Sequence, residues 1–274
     1  MTVHSDWGDW LPTAVAEADP DGLEIWYLGC NGFALKAADG TTAFIDPYLG
    51  TGDPPRTVRM VPIPFDPVDV VEADAVLATH EHTDHTHGPS QAPILEGTDA
   101  TFYGPSAAAD IAEGWTDEYE LDDHVSRVSE GESFNVGSLS IHVEPARDPD
   151  AESPVSYVIE HGSDTFFHGG DARPSGAFET IGETYDIDLA AAAFGSAGTI
   201  LDKETREPSY TKWYADENAA AEVANQLRVD RLLPTHWDMW KGLTADPTAL
   251  FDHIRGFEYP RTLEILEIGD RTTV

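Results

Sequence analysis

Lysine is almost missing from this chain: Lys36, Lys203, Lys212 and Lys241 are the only four in 274 residues. With arginine they make fifteen basic residues against fifty-one acidic ones, a formal charge of −36. So few cations cannot build a basic face, which argues against a nucleic-acid partner, since a phosphate backbone needs one. Cysteine is scarcer still. The single Cys30 excludes an internal disulfide and fits a reducing cytoplasm. It ends an apolar run and reads as a small packing residue rather than a nucleophile. No apolar run reaches the roughly 18 residues of a membrane helix. The opening Met1-Thr2-Val3-His4-Ser5-Asp6-Trp7 lacks the basic start and apolar core of a secretory signal, so a cytoplasmic protein is expected.

The acids are spread along the chain rather than gathered into a tail. Disorder does not follow, because the chain is 10% aromatic and carries seven tryptophans. A dispersed acidic surface nearly free of lysine fits a protein of an extreme halophile. In molar salt the Debye length is about 3 Å and self-repulsion is screened.

The length is enough to bury a sizeable core. An amphipathic opening over 7–18 ends at Asp19-Pro20-Asp21-Gly22, a turn signal. β-like runs follow at 23–28, 33–37 and 42–45, the last two separated by a hairpin-type Asp39-Gly40. Residues 50–67 read as a long loop and 69–72 as a short helical approach to a strand at 74–78. Further strands are expected at 101–103, 125–128, 139–144, 155–160, 165–168, 189–194, 231–233 and 263–268. Helices are expected at 106–113, 215–227 and 247–256. No repeat or linker interrupts the pattern, so one domain over 1–274 is expected, with two sheets and outer helices rather than a doubly wound parallel sheet.

The stretch Thr79-His80-Glu81-His82-Thr83-Asp84-His85 follows the apolar run Ala75-Val76-Leu77-Ala78. It reads as a buried strand delivering metal ligands, because imidazole nitrogens and a carboxylate suit zinc and similar divalent ions. In an extended segment His80, His82 and Asp84 leave one side and His85 the other, so a loop here can divide them between two metals. Three other places repeat the pattern of strand followed by ligand-type residue. Thr165-Phe166-Phe167-His168 leads to Gly169-Gly170-Asp171, where glycines allow close backbone approach. Leu232-Leu233-Pro234-Thr235 leads to His236, and the run from Leu139 carries His142 and Asp148. Within that run Leu139, Ile141 and Val143 share one face and His142 takes the other, whereas Asp148 lies past Pro145, where the chain has left the strand.

The order H-x-H-x-D-H, then G-G-D, then a strand-end His resembles the metallo-β-lactamase superfamily. Trp26–Gly32, Ala75–His85, Phe167–Asp171, Leu233–Trp240, Asp186-Ile187-Asp188, Asp202-Lys203 and Ala245-Asp246-Pro247 resemble its L-ascorbate-6-phosphate lactonase branch. The resemblance spans essentially the whole chain and implies an α+β fold, a four-layer αββα sandwich. It also implies one metal on His80, His82 and Asp148, a second on Asp84, His85 and His236, and Asp171 between them. Asp46 resembles the family's structural aspartate behind the ligands, and His142 is the rival to Asp148 or a partner behind it.

Two cations sharing a carboxylate bring a bridging water toward hydroxide near neutrality, so no Ser-His-Asp nucleophile is needed. Asp84 or Asp171 could then take up a proton. The expected protein is a dinuclear zinc or manganese hydrolase acting on a small anionic lactone or phosphorylated sugar acid. Arg147, Arg173, Lys203 and Lys241 are the candidate substrate contacts, and a homo-oligomer is left open. The rival readings are a phosphodiesterase or nuclease of the same superfamily and a non-catalytic metal-binding protein. Occupancy of every inferred ligand position argues against the last.

Overall fold

Residues 4–121, 124–195 and 197–274 are described by a computed structural model. A first helix, α1 (Trp10–Ala16), precedes the tight turn at Gly29-Cys30-Asn31-Gly32, which lets β1 (Glu24–Gly29) and β2 (Gly32–Lys36) pair antiparallel. The Asp39-Gly40 turn does the same between β2 and β3 (Thr42–Ile45). Three parallel strands then extend the β3 edge: β4 (Ala75–Leu77), β5 (Thr101–Gly104) and β6 (Val125–Arg127). The crossovers between these strands carry α2 (Gly88–Thr98) and α3 (Ser106–Glu113), as parallel pairing demands.

The second sheet begins as an antiparallel meander of β7 (Ser133–Val136), β8 (Leu139–Pro145), β9 (Val155–His161) and β10 (Asp164–His168). After α4 (Gly176–Thr184), β11 (Leu189–Ala193) adds parallel to β10. A separate hairpin, β12 (Gly198–Leu201) with β13 (Pro208–Thr211), pairs only with itself. Helix α5 (Glu217–Gln226) starts at Asp216, whose carboxylate accepts the Ala219 N–H. It leads to β14 (Arg231–Thr235), and α6 (Leu250–His253) leads to β15 (Thr262–Leu263), both strands parallel to the growing edge. The last strand, β16 (Arg271–Thr273), returns to pair with β1, giving two seven-stranded mixed sheets.

The strands are apolar on both faces because both faces are covered. In β1, Ile25 and Tyr27 point between the sheets, where they meet Ile141, Tyr157, Phe166 and Leu233. Trp26 and Leu28 point outward, under Leu11, Ile94, Leu95 and Ala108 from α1, α2 and α3. On the far side Phe178, Ile181, Val223 and Leu250 cover Val158, Phe167, Ala190 and Leu232. The result is the expected α+β sandwich of four layers. Truncating a central ring such as Phe166 to alanine would cost about 3–5 kcal/mol, since its neighbours cannot collapse into the space.

Several elements differ from the sequence-based expectation. The run 263–268 is not one strand: pairing stops after Leu263 and resumes at Arg271 in the other sheet. The helical turn expected at 69–72 lies at Pro67–Asp69 and is 3₁₀. Helices α2 and α4, strand β7 and the β12–β13 hairpin were not foreseen. The sequence of α2, with Gly88, Pro89, Pro93 and Gly97, has poor intrinsic helix propensity, and its helicity comes from burying Ala92, Ile94 and Leu95.

Candidate metal centre

The chain between β4 and α2 is held by side-chain hydrogen bonds instead of regular structure. Asp46, ending β3, accepts the Thr79 N–H at 2.8 Å and the Thr79 hydroxyl at 2.7 Å. The Thr86 hydroxyl donates to the His80 carbonyl and Gln91 Nε2 to the His85 carbonyl, each at 2.7 Å. Tyr157 OH donates to the Ala78 carbonyl at 2.8 Å. A buried loop needs such partners for its backbone, and here they also aim three imidazoles inward.

His80 Nε2 lies 3.0 Å from His82 Nδ1. Asp148 Oδ2 stands 3.7 Å from the first of these nitrogens and 3.9 Å from the second. On the other side, His85 Nε2 lies 3.4 Å from Asp171 Oδ2 and 3.9 Å from Asp84 Oδ2. His236 Nε2 lies 3.1 Å from Asp171 Oδ1 and 3.4 Å from His85 Nε2. His80, His82, Asp148 and Asp171 form one group whose ligand-type atoms all lie within 4.8 Å of one another. His85, Asp171 and His236 form a second such group, and Asp84 a third with His236 and Cys30. Asp171 belongs to both of the first two.

The donor set fits divalent cations. Asp171 Oδ1 is buried with no hydrogen-bond donor aimed at it, although His236 is close, and a carboxylate oxygen left so is costly unless a cation takes it. Burial holds the His80 imidazole well below its usual range, helped by the nearby His85, so it is the neutral form that can ligate. Burial raises the Asp148 carboxyl, and the negative charge of Asp171 raises it further. Two carboxylates converging on buried space are what a divalent ion relieves. His85 Nδ1 lies 2.7 Å from Asp46 Oδ2, so its N–H donates there and Nε2 is the nitrogen left facing Asp171.

The other two strand ends are equally constrained. Gly170 has φ 56°, and a Cβ there would stand 2.9 Å from Thr79 Oγ1, so the approach of this turn to the histidine loop requires glycine. His236 is stacked on Tyr214, with centroids 4.1 Å apart and planes 15° from parallel, and Trp240 Nε1 donates to Tyr214 OH at 2.9 Å. Cys30 Sγ lies 3.4 Å from His236 Nδ1.

The structure thus brings together His80, His82, Asp84, His85, Asp148, Asp171 and His236, with Asp46 behind them. It does not bring His142. That ring sits on the half-exposed face of β8, 2.7 Å from Glu160 and 2.9 Å from the Ser133 hydroxyl. Asp84, Asp148 and Asp171 reach a cleft of about 740 Å³, which Tyr48, Trp213, Tyr214 and Trp240 also line. Of the four candidate substrate cations, Lys203 lines it. Arg147 turns away to Glu130 at 2.8 Å, Arg173 donates to the Asp171 carbonyl at 2.9 Å, and Lys241 is not part of the lining. Sequence reasoning missed Thr79, Cys30, Tyr214 and the cleft cations Arg56 and Lys212. Only the Trp213-Tyr214 pair carried a visible signal, as adjacent aromatics between polar stretches.

A family model described as the β-lactamase superfamily domain matches residues 41–237, from the residue before β3 to just past the strand-end His236. The chain belongs to the metallo-β-lactamase superfamily. A probable L-ascorbate-6-phosphate lactonase of Escherichia fergusonii is 27% identical over 293 residues, covering 90% of this chain and 79% of its own. Among solved structures, a metallo hydrolase from Ignicoccus hospitalis superposes with a TM-score of 0.68 at 19% identity, over 91% of this chain and 97% of that one. An isothiocyanate hydrolase from Delia radicum gut bacteria gives 0.66 at 16%, over 92% and 99%. A diiron β-hydroxylase from Streptomyces venezuelae gives 0.66 at 17%, over 94% of this chain and 55% of that one. These structural likenesses establish the metallo-β-lactamase fold. Divalent metal ions are what the superfamily implies for the histidine–aspartate cluster.

Proposed function

We propose that this metal-dependent hydrolase holds two divalent ions, zinc or manganese, and hydrolyses a lactone or phosphorylated sugar-acid substrate. The observation that carries the reading is the membership of Asp171 in both histidine–aspartate groups at the wall of one cleft. In this reading His80, His82 and Asp148 hold one ion, Asp84, His85 and His236 hold the other, and Asp171 serves both. Bound divalent ions would supply an activated water and a Lewis acid for the carbonyl under attack.

The remaining work falls to the chain. Asp46 keeps His85 in the tautomer whose Nε2 faces the cluster. Asp84 and Asp171 are the carboxylates within reach of a departing proton during ring opening. Tyr48, Tyr214 and Trp240 give the cleft an aromatic wall, with the Tyr48 and Trp240 rings tilted at 57°, against which a substrate ring can pack. The lactonase names of the curated relatives support the lactone class. The acidic composition supports work in molar salt, and we take the chain to be a single cytoplasmic domain over 1–274.

The test is reconstitution with Zn²⁺ or Mn²⁺ in molar KCl, elemental analysis, and an assay panel of lactones, phosphomonoesters and phosphodiesters. Close to two metal equivalents and turnover of a lactone are expected, and Asp171→Asn should lose metal and slow the reaction by at least about a hundredfold. Turnover of phosphodiesters alone would transfer the protein to the nuclease class. An Asp171→Asn variant with both metals and full rate would refute the shared carboxylate.

A further inference from the structure

Carboxylates outnumber cations more than threefold here, 51 to 15, so a cation without an anionic partner is unusual. Arg127, Arg147, Arg206, Lys212, Arg228 and Arg231 each pair with an acid. Among the described residues, Arg56, Lys203 and Lys241 have no side-chain hydrogen bond or ion pair to a carboxylate or carbonyl, and of the three Arg56 and Lys203 line the cleft. Arg56 lies with its guanidinium carbon 4.9 Å from the Trp213 ring centroid, and its Nε is buried with no acceptor.

Both residues sit in turns that hydrogen bonds close at the backbone, which sets where each side chain starts. Arg56 sits in a turn closed by its own N–H to the Asp53 carbonyl at 2.9 Å and by Asp53 N–H to Thr57 Oγ1 at 2.8 Å. Lys203 sits in the turn of the β12–β13 hairpin, closed by Asp202 N–H to the Glu207 carbonyl at 2.8 Å. The neighbouring acids have closer partners of their own, although the Arg56 charge also reaches the Asp202 carboxylate. Asp202 Oδ1 accepts from Glu204 N–H, Thr205 N–H and the Thr205 hydroxyl at 3.0, 2.8 and 3.0 Å, and Asp53 pairs with Arg206 at 3.4 Å.

We propose that Arg56 and Lys203 form an anion subsite in the cleft wall that takes an oxyanion group of the substrate, a carboxylate or a phosphate monoester. This rests on the hydrolase reading above for its substrate, but not for its binding. The cation–π contact with Trp213 holds the guanidinium over the ring, its N–H groups can bond a planar or tetrahedral oxyanion, and the ammonium adds a movable charge. Long-range attraction cannot select anions for a chain of −36 in molar salt, where screening acts within about 3 Å. Contact pairs inside the cleft can.

The test uses the full chain in molar KCl. Inorganic phosphate is titrated into metal-free protein, followed by tryptophan fluorescence and by the rise in Tm, in wild type, Arg56→Gln, Lys203→Gln and, as a surface-charge control, Arg228→Gln. Saturable phosphate binding is expected in wild type and Arg228→Gln, weakened about tenfold in each of the other two. With metal restored, matched neutral, carboxylated and phosphorylated lactones are compared. The preference in kcat/KM for charged over neutral lactone should fall about tenfold in Arg56→Gln and Lys203→Gln, and the preferred charged lactone identifies the oxyanion. Phosphate binding equal in all four proteins, or an unchanged preference, overturns the subsite. Phosphate binding lost in the two variants while no lactone is turned over leaves the subsite standing and overturns the lactonase reading instead.

Discussion

His236, at the end of β14, and Cys30, in the β1–β2 turn, hold one another where the two sheets meet. The His236 N–H donates to the Cys30 carbonyl at 2.8 Å, both backbones are left-handed at φ 64° and 59°, and Sγ faces Nδ1 at 3.4 Å. For Nε2 to ligate, Nδ1 must carry the proton, and Cys30 Sγ is then its acceptor, as Asp46 is for His85. Cys30 is therefore more than the packing residue that the sequence suggested. Cys30→Ala should keep the fold but bind one of the two proposed metal equivalents about 10–100-fold more weakly, measured by competition with a chromophoric chelator. Two equivalents held at wild-type affinity would mean that Tyr214 stacking alone orients the ring.

Asp46 receives three donors: Thr79 N–H, Thr79 hydroxyl and His85 Nδ1–H. Asp46→Ala strands the buried Thr79 N–H and leaves the Thr79 hydroxyl and His85 Nδ1 only their contacts with His80 and with each other, at 3.0 and 3.3 Å, so it should lower stability by about 1–3 kcal/mol, read from urea unfolding at fixed salt. Asp46→Asn is the gentler probe, because asparagine tolerates the φ of 45° at this position. It should unfold closer to wild type yet bind metal more weakly. Equal metal affinity in Asp46→Asn and wild type would show that the charge on Asp46 is irrelevant.

Asp148 and His142 can be separated by metal content. Asp148→Ala should lose one equivalent, whereas His142→Ala, which breaks only contacts with Glu160, Ser133 and Tyr185, should lose none. The opposite pattern, with imidazole nitrogen at about 2.1 Å from a metal in a crystal of the loaded protein, would hand the position to His142.

Salt should govern stability as strongly as metal does. Lowering the ionic strength to 0.1 M lengthens the screening distance to about 10 Å, so exposed carboxylates across the surface begin to repel. Native circular dichroism should fade on dialysis and return with KCl. A melting temperature unchanged between molar and millimolar salt would refute halophilic adaptation.

The legible part of this protein lies at its strand ends. His80, His82, Asp84 and His85 stood out because unlike ligand types crowd into one short segment after an apolar run, and Asp171 because two glycines precede it. What stayed hidden is set by contacts distant in sequence. Nothing near Thr79 tells that its hydroxyl would meet Asp46, and nothing near Cys30 announces His236, 206 positions away. Arg147 looked poised for substrate because it neighbours Asp148, but successive side chains diverge and it turns to Glu130. Arg56 looked like an ordinary loop residue until the hairpin brought Trp213 beneath it. Helix α2 was missed for the same reason: burial of its apolar side chains overrides a run with two prolines.

The two halves of the histidine–aspartate cluster belong to different sheets. The histidine loop leaves the sheet of β1–β6, while Asp148, Asp171 and His236 leave the sheet of β7–β15. Ions at this seam would act as rivets, so that prising the layers apart requires their release. Mass action then ties mechanical and thermal endurance to the free metal concentration: at a hundred times the dissociation constant, each ion adds about 2.7 kcal/mol against unfolding. A cell that withholds metal would not merely idle this protein; it would leave it easier to open and to degrade, so abundance as well as activity would follow the metal supply.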